Sequence, residues 1–129
     1  MSTQDLERVR AILGCLEAID RAQATGLRHA NDPEVGGVAL DAVRYRLHAA
    51  GELVGSLSAD LREDRPAVPW SDLARLGDLI GNDDDLIGND DDLSGPQRLQ
   101  ATIAEPVSRL RSACQSILGE SVRAGEDEP

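Results

Sequence analysis

The sequence predicts an all-α protein on three observations. Aromatic residues make up only 2% of the chain, Trp70 and Tyr45, so the core must be assembled from Leu, Val, Ile and Ala, which suits packed helices better than a sheet sandwich. Apolar residues recur at intervals of three and four along most of the chain. Helix-start residues stand ahead of three of those stretches, at Ser2, Asp32 and Ser58. The length, 129 residues, suits one domain, drawn here as 1–124 with an unstructured tail over 125–129.

The elements follow in order. A first helix starts at Ser2 or Thr3, where Asp5 lies three places beyond a hydroxyl cap, and buries Leu6, Val9, Leu13 and Leu16, with Ile12 and Ile19 widening the stripe. It should stop near Thr25-Gly26, leaving His29 in a solvated connection. Asp32-Pro33-Glu34 supplies a cap, a preset first φ and an acid for the positive end of a second helix. That helix should bury Val35, Val38, Ala42, Val43, Leu47, Ala50, Val54 and Leu57, and it carries Arg44, His48 and Glu52 on one face as an ion-pair group. Ser58 caps a short helix to Asp64, closed by Pro66 and Pro69, and Trp70 to about Ile80 reads as another, carried by Leu73, Leu76, Leu79 and Ile80. Pro96 opens a last helix with Leu99, Ile103, Val107, Leu110, Cys114 and Ile117 inward, which Pro106 should kink. Cys15 and Cys114 read as buried small hydrophobes rather than a disulfide.

Charge narrows the functional classes. All 13 basic residues are Arg and face 24 acids, for a net charge of −11. Such a chain repels polyanions, so tight non-specific binding to DNA or RNA is not expected. The first ten residues hold no apolar run and no later stretch approaches the length of a membrane span, so neither a leader nor a span is expected and the cytoplasm is the expected location.

Much of the charge is local. From Gly77 to Gly95 the chain reads GDLIGNDDDLIGNDDDLSG, a tandem heptapeptide DLIGNDD at 78–84 and 85–91, with seven Asp and no base. Gly, Asn and clustered Asp are poor helix formers, and like charges three and four apart repel, so the segment should be an acidic loop beginning near Gly81 and pinned by Leu86, Ile87 and Leu93. Two triplets, Asp83-Asp84-Asp85 and Asp90-Asp91-Asp92, offer hard oxygen ligands for a weakly held Ca²⁺ or Mg²⁺; a fully solvated loop is the plainer alternative, and no other cofactor is implied. The spacing does not match an EF-hand loop.

Read together, a long helix, a second long helix with Gly51-Glu52, the element Ser58-Ala59-Asp60-Leu61-Arg62, the turn Pro66-Ala67-Val68-Pro69-Trp70, the short stretch Asp72-Leu73-Ala74-Arg75-Leu76, Asp78-Leu79-Ile80 and a Pro-interrupted last helix resemble the HepT-like branch of the HEPN superfamily. The resemblance spans nearly the whole chain. It implies an up-and-down antiparallel bundle of four to five helices, with the acidic loop before the last, forming a homodimer with a composite site in the cleft between copies. It also implies a toxin component of a bacterial type VII toxin–antitoxin system, a metal-independent ribonuclease by family, partnered by an MntA-like nucleotidyltransferase antitoxin.

The family site is an Arg, a polar residue, three more residues, a His, and a Tyr two places later. On this chain the Arg slot holds Gly77, the polar slot keeps Asp78, the His slot holds Asn82 and the Tyr slot, where the antitoxin attaches adenylyl groups, holds Asp84. Reading the second heptapeptide instead, with Asp84, Asp85, Asn89 and Asp91 in those slots, restores nothing. Asn does not titrate, and loss of a general acid or base costs about 10²- to 10⁴-fold in rate. The expectation is a toxin fold with an impaired nuclease site, in which Asp84 sets a permanent charge where the modification would go. Two alternatives stand beside it: a working ribonuclease that uses a displaced Arg75 with Arg44 and His48, for which RNA is a partner, and an acidic divalent-ion-binding interaction protein.

Overall fold

The computed structural model describes residues 2–79 and 95–126. Among them the structure is all-helical, with no strand. Five α-helices, α1 (Thr3–Arg28), α2 (Pro33–Gly55), α3 (Ala59–Glu63), α4 (Trp70–Leu73) and α5 (Gly95–Glu126), are joined by a 3₁₀ turn at Leu76–Leu79.

The helix starts are set locally. Ser2 Oγ accepts the Asp5 N–H, Asp32 Oδ1 accepts the Glu34 and Val35 N–H groups with Pro33 beside it, and Ser58 Oγ accepts the Leu61 N–H. Each satisfies N–H groups that the first turn of a helix leaves without a partner. The first helix passes the expected stop at Gly26 and ends at Arg28, where the His29 N–H donates to Thr25 O at 3.1 Å.

The short link from α1 to α2 makes them an antiparallel pair. Near its base Arg8 of α1 donates to Ser56 O at 2.9 Å and Asp5 meets Ser58, while at the far end Ala22 and Thr25 lie beside Val35 and Val38. One core joins Val9, Ile12, Leu16 and Ile19 of α1 to Val43, Leu47, Ala50 and Val54 of α2 and to Leu99, Ile103, Leu110 and Ile117 of α5. Burying such side chains contributes roughly 1.5–3 kcal/mol each. Cys15 and Cys114 are buried free thiols in this core, and burial pushes the Cys114 thiol up to about 12. The α5 helix is anchored at its edges by Arg111 to Asp20 at 2.6 Å and by Arg65 to Glu120.

Three expectations are corrected. The inward stripe of α2 is Ala39, Val43, Leu47, Ala50 and Val54; Val38, placed in the core by spacing, is 70% exposed, and Ala42 is exposed with it. The helix expected from Trp70 to about Ile80 breaks after Leu73, because a turn at Ala74-Arg75 followed by 3₁₀ geometry lets Leu73 and Leu76 both point inward. The last helix, α5, runs through Pro106 without interruption, with Ile103, Val107 and Leu110 packed in the core. This helix runs on to Glu126, past Gly125 where a tail was expected to begin.

Trp70 ties the connection to the core. Its ring is buried and its Nε1–H donates to Arg65 O at 3.1 Å. Trp70→Phe keeps one aromatic ring but removes the donor and part of the buried indole, so urea unfolding should report a loss of about 1–3 kcal/mol.

Candidate functional site

Two glycines interlock α2 with the segment that follows α4. Gly51 is buried on α2, and a Cβ built there would stand 2.7 Å from Ala74 O and 3.3 Å from Ala74 C. Gly77 is buried in the 3₁₀ turn, and a Cβ there would stand 2.2 Å from His48 Nδ1 and 2.6 Å from His48 Cε1. The two contacts are reciprocal. His48 precedes Gly51 by three residues on α2, and Ala74 precedes Gly77 by three, so each element gives one bare Cα for the other to approach.

The sequence-predicted residues fall around this junction unevenly. Gly77, in the slot the resemblance assigns to Arg, has the exposed His48 imidazole packed on it. Arg75 and Asp78 are exposed and three apart, and the Asp78 N–H donates to Arg75 O at 2.9 Å, so 3₁₀ geometry sets them on one side of the turn. One turn before His48, half-buried Arg44 pairs with Asp41 at 3.8 Å. Tyr45 is exposed, with the Arg46 guanidinium 5.6 Å from its ring centre. His29 caps the end of α1 beyond the start of α2, and α2 itself runs roughly 22 Å from Pro33 to His48 by its rise per residue, so His29 does not join the group within one chain.

Asn82, Asp84 and the Asp83-Asp84-Asp85 and Asp90-Asp91-Asp92 triplets lie outside the described residues, as does the expected acidic loop beyond Leu79. Among the described residues no group of three or more His, Cys, Asp and Glu is arranged to hold a metal ion, and no helix is long and apolar enough to cross a membrane.

The contact of His48 with Gly77 is what the linear reading missed. The sequence shows Gly77 only as a slot emptied of Arg; that another helix fills the space is a non-local fact, and its one trace is the pair of glycines, Gly51 and Gly77, on the two elements that meet.

No family model matches the chain, and neither a curated protein nor a solved structure matches it.

Proposed function

We propose that the chain is a HepT-like member of the HEPN superfamily, the toxin-side component of a bacterial type VII toxin–antitoxin system, acting in the cytoplasm by binding protein partners rather than by cutting RNA. Its partners on this reading are a second copy of itself, packed as helical bundles, and an MntA-like nucleotidyltransferase. The all-helical make-up and the order of its parts support this: two long helices, the Ser58-capped short helix, the Trp70 turn and a long last helix running through Pro106.

The observation that carries the impaired half of the proposal is Gly77. Its position is buried and His48 occupies the space a side chain would need, so a phosphate-facing Arg at 77 has no room without displacing the imidazole. Asn82, which cannot exchange a proton near neutral pH, stands in the His slot. A missing proton-transfer group and a missing cation together remove several orders of magnitude in rate.

One observation favours a second reading. His48 is exposed, packs on Gly77 of the motif segment two residues after Arg75 in sequence, and lies one turn from Arg44 on α2. In that case His48 would move the 2′-hydroxyl proton and the arginines would face phosphate. The purified chain incubated with RNA in chelator should leave it intact, and expression without a partner should be tolerated. Metal-free turnover that His48→Ala abolishes, with folding unchanged by circular dichroism, would replace the first reading with the second.

A further inference from the structure

We draw no further inference here: the strongest candidate, the apolar surface groove between the end of α1 and the start of α2, walled by Ala22, Thr25, Val35, Val38 and Ala42, is an unpartnered face, and nothing in the structure shows what covers it.

Discussion

Gly51→Ala should destabilise the protein by about 1–2 kcal/mol, while Gly14→Ala, the same change in a neighbouring helix, should stabilise it by about 0.5–1 kcal/mol. Two effects compete at each site. Alanine is favoured over glycine inside a helix by up to about 1 kcal/mol, because glycine loses more backbone freedom on folding. Against this stands whatever the new methyl group meets. At Gly14 nothing lies within 4 Å, so the helix term acts alone. At Gly51 the methyl would stand 2.7 Å from Ala74 O and 3.5 Å from Leu76 N, both of them backbone atoms. That backbone has little freedom to retreat, since Leu73 and Leu76 on either side are buried in the core at 2% and 1% exposure. Overpacking of this kind costs about 1–3 kcal/mol and outweighs the helix gain. Urea midpoints of the two variants against the parent check it, and equal shifts would remove the close approach of α2 to the Ala74 segment. Gly51→Leu should cost more still, because its branch would need the same space.

How much of this was legible in the sequence depends on how local the cause is. The caps at Ser2, Asp32 and Ser58 depend on residues two or three places apart, so the chain itself displays them, and all three form. The core face of α1 was legible in part: Val9, Ile12, Leu16 and Ile19 are buried in the core, while Leu6 and Leu13, read as members of the stripe, are only half-buried. On α2 the reading failed at Val38 for a definable reason. That helix has two apolar stripes, one through Ala39, Val43 and Leu47 and one through Val35, Val38 and Ala42, and periodicity identifies stripes without saying which faces the core. Assigning both inward buried a stripe whose centre, at Val38 and Ala42, is exposed. The candidate site was legible only as residue types. The Gly77 slot was visible, but that His48 of another helix packs on it depends on how two elements meet, as does the break after Leu73 that brings Gly77 there.

Asp5→Ala should cost about 2–4 kcal/mol at neutral pH, a large effect for a carboxylate near a helix start. Asp5 is only 2% exposed and accepts from Ser58 twice, from its N–H at 3.0 Å and its hydroxyl at 2.5 Å, so it fastens the first turn of α1 to the start of α3. Arg8 stands 3.8 Å away and itself donates to Ser56 O, closing the same corner. Burial alone would raise the Asp5 pKa; the two bonds from Ser58, the Ser2 contact and the Arg8 charge outweigh it and hold the carboxyl below its ordinary 3.8. A carboxyl whose folded value is depressed binds its proton more readily in the unfolded chain. Its contribution is therefore fully present above about pH 3.8 and is lost as pH falls through the lower folded value. Asp5→Asn, which keeps the shape and loses the charge, isolates this from the other carboxylates. The stability gap between parent and Asp5→Asn, measured by urea unfolding at a series of pH values, should be constant from neutrality down to about pH 5, then narrow as the solution becomes more acid. A gap that stays the same throughout would mean that the charge of Asp5 contributes nothing and that the corner is held by packing and by the serine contacts alone.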